Sequence, residues 1–249
     1  MNYRLTLQYD GTEFSGWQIQ EGARTVQGEL TRALSLIEGG EAVVHGAGRT
    51  DAGVHAEAQV ASVRLQRDFE PDKLRAAVNG NVGRDLRVVG VELAPDDFHA
   101  RYSSKGKTYC YRVFNEAFQS PFWSRYALHE ARAVDVRAMR DAATLFVGEH
   151  EWTAFSSAQA DVRSRVRNVT ALEVSHRRSV RGRGRLIEMR VSAVGFLRYM
   201  VRSFAGALLA VGRGEADAAT IRWAIETGER PNSIATAPAH GLTLVEVRY

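Results

Sequence analysis

Apolar and polar positions alternate from the start of the chain. Tyr3, Leu5, Leu7 and Tyr9 share one side and Arg4, Thr6 and Gln8 the other, the pattern of a half-buried strand. Asp10-Gly11-Thr12 turns it, and a glycine-containing loop, Phe14-Ser15-Gly16-Trp17-Gln18, follows. Trp17 there reads equally as a core aromatic and as a ligand contact. Val26, Leu30, Ala33, Leu34 and Ile37 recur at helical spacing behind Thr25, a candidate cap. Ala42-Val43-Val44 predicts a second strand, and Ala61, Val63 and Leu65 alternate along a third. Pro71 with Leu74, Ala77 and Val78 predicts a helix that stops near Asn79-Gly80, and residues 86–93 another strand.

The second half has similar content. Lys107-Thr108-Tyr109-Cys110-Tyr111-Arg112-Val113 is a strand by composition, with Tyr109, Tyr111 and Val113 on one face. Asp135 caps a predicted helix carrying Val136, Met139, Ala143 and Phe146, ended by Gly148. Arg163, Arg165 and Arg167 alternate along an expected strand edge that Leu172 and Val174 continue. A basic hairpin loop spans 176–185, and Ile187, Met189 and Val191 resume alternation. A long apolar helix is predicted from Phe196 through Val211, stopped by Gly212, then a short one behind Asp217, then a strand running to Tyr249. A duplicated α/β unit is open on this pattern, although the halves share no visible identity.

Composition narrows the class. The 249 residues are 45% hydrophobic and 25% charged, normal for a globular protein with a real core. No stretch reaches the apolar length of a membrane span. The opening Met1-Asn2-Tyr3-Arg4-Leu5 starts on a strand pattern rather than a signal peptide. The single cysteine, Cys110, has no internal disulfide partner, which fits a reducing cytoplasm. Net charge is +4, tilting the expectation toward a polyanionic partner. Lys73, Lys105 and Lys107 are the only lysines. Arginine therefore carries the positive charge, and it suits phosphate forks and base stacking. A GC-rich coding sequence would leave the same bias.

One stretch fits neither period: Gly46-Ala47-Gly48-Arg49-Thr50-Asp51-Ala52-Gly53-Val54-His55-Ala56. Its glycines let the backbone bend and let a ligand approach closely. Spacing alone favours a turn in which Asp51 caps backbone amides. The alternative is a carboxylate kept ionised by Arg49, able to act as a nucleophile or a base. Tyr109 reads either as core or as a stacking surface for a base. Arg202, a charge on an otherwise apolar helix, requires a carboxylate partner. His150-Glu151 has no second histidine at helical spacing, and the other histidines are scattered, so no metal is expected.

Residues 48–56 resemble the catalytic loop of the tRNA pseudouridine synthase A family. The resemblance extends to Tyr9-Asp10-Gly11-Thr12 with Gly16-Trp17-Gln18-Ile19-Gln20, to Phe98-His99-Ala100-Arg101-Tyr102, to residues 150–155 and to residues 237–244. It therefore covers essentially the whole chain. It implies an α/β (α+β) pseudouridine synthase fold, a largely antiparallel central sheet with flanking helices. Two similar lobes, 1–105 and 106–249, would lie around a catalytic cleft. It implies isomerisation of uridine to pseudouridine at tRNA positions 38 to 40, without a cofactor, by a cytoplasmic homodimer. It implies Asp51 as the catalytic nucleophile, Arg202 as its partner, Arg49 as the residue that fills the vacated stack or holds a phosphate, and Tyr109 as the residue stacked on the base.

Several positions depart from the family pattern: Ala58, residues 79–83, Gly195 and Ser203-Phe204. None touches Asp51, Tyr109 or Arg202; they bear on the tRNA range. Two other classes compete. An RNA-binding module without chemistry would leave Asp51 dispensable. A phosphohydrolase using an aspartate nucleophile would need a metal, and no second acidic residue stands placed near Asp51 to hold one.

Overall fold

The computed structural model describes residues 1–158, 162–178 and 184–249, in two compact units. The first holds Met1–Lys105 with Thr243–Tyr249, and the second holds Gly106–Leu242.

In the first unit, β1 (Asn2–Tyr9), α1 (Val26–Glu38), β2 (Val44–Gly46), β3 (His55–Arg64), α2 (Pro71–Asn81) and β4 (Leu86–Ala94) follow in order. The strand β10 (Leu242–Arg248) joins them from the end of the chain. β1 lies between β4 and β3, antiparallel to both, and β2 is antiparallel to β3. β10 runs parallel to β3, pairing Thr243 with His55 and Leu244 with Ala56. The alternation at the start of the chain is real, since Tyr3, Leu5, Leu7 and Tyr9 are all buried. Thr25 caps α1, its hydroxyl accepting from Gly28 N at 3.2 Å.

Three details differ from the sequence pattern. Residues 59–63 of β3 are buried without alternation, because β3 is an inner strand with both faces covered. α2 continues through Gly80 to Asn81, where the Asn81 side chain donates to Ala77 O at 2.9 Å and holds the last turn. The closing strand, expected with the second lobe, pairs with β3 and clusters with the first unit.

The second unit contains β5 (Gly106–Asn115), β6 (Leu128–Glu130), α3 (Val136–Ala143), β7 (Gly148–Glu151), β8 (Val166–Arg178), β9 (Arg185–Ala193), α4 (Met200–Gly212) and α5 (Ala218–Thr227). β9 lies between β5 and β8, β7 lies on β8, and these pairs are antiparallel. Short β6 pairs with β5 in parallel. With short β6 and β7 set aside, the chain order strand, helix, strand, strand, helix, with the third strand placed between the first two, recurs: β1, α1, β2, β3, α2 in the first unit and β5, α3, β8, β9, α4 in the second. This split β-α-β arrangement makes the duplication visible in topology where residue identity does not. Both units are mostly antiparallel sheets with helices packed on them.

The core of the second unit is aromatic. Trp152, Phe146, Phe155 and Phe204 are all buried, with Trp152 stacked on Phe146 at 6.1 Å and Phe204 4.7 Å from each of those two rings. β6 and β7 are too short to leave a period in the sequence. Arg163 and Arg165 precede β8 rather than lining it. Arg165 instead reaches Ser156 Oγ, Ser157 O and Ala158 O, at 2.6, 2.9 and 3.1 Å. Of the expected basic hairpin loop, residues 176–178 belong to β8 and Arg185 to β9, while 179–183 lie outside the described residues. The apolar helix starts at Met200, four residues later than its pattern, because Tyr199 ahead of it has φ 66°.

Candidate active site

The 46–56 stretch is a loop built on the first turn of the chain. β2 delivers it and β3 collects it, so its two ends are fixed by a sheet. Inside it, Val54 N donates to Asp51 O at 3.1 Å, a β-turn whose third residue, Gly53, has φ 77°. Asp51 is half-buried, Arg49 is exposed and Thr50 between them is buried.

The residues around Tyr9–Trp17 hold that loop from below. Trp17 N donates to Thr50 O at 3.0 Å, and Gly53 N to Phe14 O at 3.3 Å. Gly11 N lies 3.0 Å from His55 Nδ1, and Asp10 Oδ1 lies 3.2 Å from the same nitrogen. The Tyr9 and Thr50 hydroxyls lie 2.9 Å apart. Gln59, fully buried, donates to Gly48 O at 2.8 Å and to the Tyr9 hydroxyl at 3.5 Å. Either hydroxyl of the Tyr9–Thr50 pair can be the donor. Burial pushes the Tyr9 hydroxyl up to about 12, against the pull of Thr50 and Gln59, so it stays protonated at neutral pH.

Glycine is required at the points of closest approach. A Cβ at Gly16, which has φ 91°, would lie 2.7 Å from Thr50 O. A Cβ at Gly11 would collide with Val54 O, and one at Gly46 with the Trp17 ring. Trp17 is thus a buried wall under the loop, settling its reading as a core aromatic.

Tyr109 and Arg202 belong to the second unit. Tyr109 sits in β5 opposite Val191, largely buried, and meets Phe196 edge to face at 5.1 Å. Arg202, in the first turn of α4, donates from Nε to Ala237 O at 2.8 Å, while Ala237 N donates back to Arg202 O at 3.0 Å. Its guanidinium lies 4.8 Å from the centre of the Tyr199 ring. Arg202 thereby ties the start of α4 to the segment before β10. Burial raises the Tyr111 hydroxyl, and the Arg202 charge opposes that rise. The Tyr111 hydroxyl donates to Pro238 O at 2.9 Å in the same segment.

So Asp51 and Arg49 share one rigid loop, while Tyr109 and Arg202 are each ordered by residues 196–202. The sequence reading missed the supports: Tyr9, Gly11, Gly16, Gln59, His55, Phe196 and the left-handed Tyr199. The signal for several of them was present in the opening Tyr-Asp-Gly-Thr and Gly-Trp-Gln strings. Among the described residues, no group of three or more His, Cys, Asp or Glu could hold a metal ion. No helix among them is long and apolar enough to cross a membrane.

Fold and loop together define a duplicated α/β protein presenting a carboxylate from a glycine-braced turn. A family model described as tRNA pseudouridine synthase matches residues 6–103 and 142–249. A tRNA pseudouridine synthase A 2 of Bacillus cereus (strain ATCC 10987 / NRS 248) is 39% identical over 249 residues, covering 100% of this chain and 99% of that protein. A tRNA pseudouridine synthase A of Ruminiclostridium cellulolyticum is 39% identical over 246 residues, covering 99% and 98%. A chain in the solved structure of a Cbf5-Nop10-Gar1 complex has a TM-score of 0.31 and 15% identity over 83% of this chain and 54% of that one, too loose a likeness to carry an argument. The chain belongs to the tRNA pseudouridine synthase family, and is by that membership an isomerase.

Proposed function

We propose that this protein converts uridine to pseudouridine in the anticodon stem-loop of tRNA, at positions 38 to 40, with Asp51 as the catalytic nucleophile. The observation that carries the reading is the loop itself. The family-like string around Asp51 is braced by Tyr9, Gly11, Gly16 and Trp17, so its carboxylate is presented rather than loosely exposed. An RNA-binding module has no use for a pre-organised acid of this kind.

The reaction is an isomerisation. The bond from C1′ to N1 of uracil breaks and a bond from C1′ to C5 forms. One proton leaves C5 and one arrives on N1, so no oxidant, reductant or other co-reactant is consumed. We assign no cofactor. The target base must first leave its stack, at a cost of about a few kcal/mol. Tyr109, fixed in β5 and buttressed by Phe196, offers a ring to that base. Arg202, fixed through Ala237 and Tyr199, offers a planar cation to pair with Asp51. Arg49, exposed beside Asp51, fills the vacated stack or holds a phosphate. Substrate choice then rests on RNA shape and phosphate contacts more than on base edges. A homodimer working in the cytoplasm completes the proposal.

The test is release of tritium from tRNA labelled at C5 of uridine, with mapping of the modified positions. The proposal expects release confined to positions 38 to 40, undiminished by EDTA. No release from any tRNA, or release abolished by chelation, contradicts it.

A further inference from the structure

Outside the Asp51 loop, the first unit carries a row of stacked rings that the proposed chemistry does not use. His45 and His99 lie with ring centres 4.7 Å apart, tilted by 33°. His99 and Tyr102 lie 4.4 Å apart, tilted by 36°. Tyr102 ends the row and is 78% exposed. The Arg101 guanidinium stands 5.8 Å from the centre of the same ring.

The row is rigid. His99 Nδ1 accepts from Arg101 N at 3.1 Å and from Tyr102 N at 3.4 Å, so the imidazole is pinned by its edge and shows its faces to its neighbours. Ser103 closes the turn, its N–H donating to His99 O at 2.9 Å and its hydroxyl accepting from His99 N at 3.1 Å. Beneath, Asn2 donates to Phe98 O, the Tyr249 hydroxyl to Ala100 O, and Ala100 N to the Ser62 hydroxyl, at 2.9, 2.7 and 3.1 Å. His45 pairs in register with Ser62, seven residues along β3 from His55. At ~3.3 Å per residue His45 lies about 23 Å along the strand from His55, which follows the turn that carries Asp51.

An exposed ring already stacked against a pinned neighbour gives something planar a surface to lie on. We propose that Tyr102, backed by His99 and His45, is a stacking platform for an unpaired RNA base, with Arg101 on the adjoining phosphate. This rests on the reading of the substrate as tRNA, and names a second contact on it, remote from the target uridine. Planarity selects a base, and the arginine beside the ring together with the chain's net charge of +4 selects a polyanion. Every base presents a π-face, so the contact supplies affinity with little sequence preference.

The test compares wild type, Tyr102→Ala, Tyr102→Phe and Arg101→Ala in three measurements. These are anisotropy titration of one unmodified tRNA transcript across a salt series, tritium release from that transcript at saturating tRNA, and mass by light scattering. Stacking is worth about 1–3 kcal/mol per base, so Tyr102→Ala weakens tRNA binding by roughly 5- to 150-fold. Its salt slope stays that of wild type, and release at saturation stays within about twofold. Tyr102→Phe keeps the ring and binds as wild type does. Arg101→Ala lowers the salt slope by about one. Tyr102→Ala binding within twofold of a wild type that isomerises tRNA overturns the platform alone. Equal weakening in Tyr102→Phe overturns stacking as the cause. A change of mass in Tyr102→Ala with tRNA affinity intact places a protein there and overturns it too. A wild type that neither binds nor isomerises tRNA overturns the platform and the proposed function together.

Discussion

The hydroxyls of Tyr9 and Thr50 lie 2.9 Å apart in the buried floor beneath Asp51, joining the end of the first strand to the middle of the candidate catalytic loop. Tyr9→Phe removes one hydroxyl of the pair and leaves the Thr50 hydroxyl without this bond, at a cost of about 1–3 kcal/mol. The loop then fluctuates next to the reacting acid. Expected is a fall in kcat of roughly tenfold, equivalent to about 1.4 kcal/mol in the barrier, with KM little changed. Steady-state kinetics beside a urea titration of both proteins checks the pair of effects.

Gly16 gives a second handle on the same floor. At φ 91°, with Thr50 O only 2.7 Å from where a Cβ would go, Gly16→Ala strains the backbone and displaces the loop. Gly39→Ala is the control: φ is 75° there, but nothing lies within 4 Å of the added carbon. Both variants lose about 1–2 kcal/mol from the left-handed backbone alone. Gly16→Ala loses more than that, and loses activity per folded molecule as well. Melting temperatures and tritium release, measured on both, separate loop distortion from simple destabilisation.

Much of the architecture was legible in the chain because its strands and helices obey simple periods. β1 shows one buried face, α1 and α5 carry their caps in the sequence, and the closing Gly212 ends α4 as expected. Periodicity fails where both faces are covered, as in β3 and β5, since burial then no longer alternates. It also fails for very short strands such as β6 and β7. The start of α4 was misplaced because Phe196-Leu197-Arg198-Tyr199 is as apolar as the helix it precedes, and a positive φ at Tyr199 leaves no compositional trace. At the site, Asp51 stood out through its glycines. Its supports did not, because the contacts from Tyr9, Gly11 and Gly16 to residues 50–55 span some forty positions of chain.

Arg202 tests whether the guanidinium's shape matters beyond its charge. Its Nε–H is committed to Ala237 O at 2.8 Å, which fixes the plane of the fork. Lysine keeps the charge but has neither that hydrogen nor the plane. Arg202→Lys and Arg202→Ala are therefore both expected to lower single-turnover rates by about 100-fold, or roughly 2.7 kcal/mol in the barrier. Affinity for tRNA should stay within a few-fold. A lysine variant close to wild type shows that charge alone suffices.

Alkaline pH attacks the loop floor. Burial raises the Tyr9 hydroxyl from 10.0 to about 12 in the folded protein. The folded state thus holds its proton to higher pH than the unfolded chain does. That contribution to stability is complete below pH ~10 and is lost as pH rises from ~10 to ~12. Unfolding midpoints in urea, followed across that window, should fall with pH. The fall should be shallower in Tyr9→Phe, which has nothing to ionise there.

Release of tritium from C5-labelled uridine in tRNA by Asp51→Asn, measured beside tRNA binding by the same protein, tests the central claim most directly. Asparagine keeps the size and the turn but not the charge. The account predicts no release above the enzyme-free rate, with tRNA affinity within a few-fold of wild type. Release at the wild-type rate contradicts it and removes Asp51 from the chemistry.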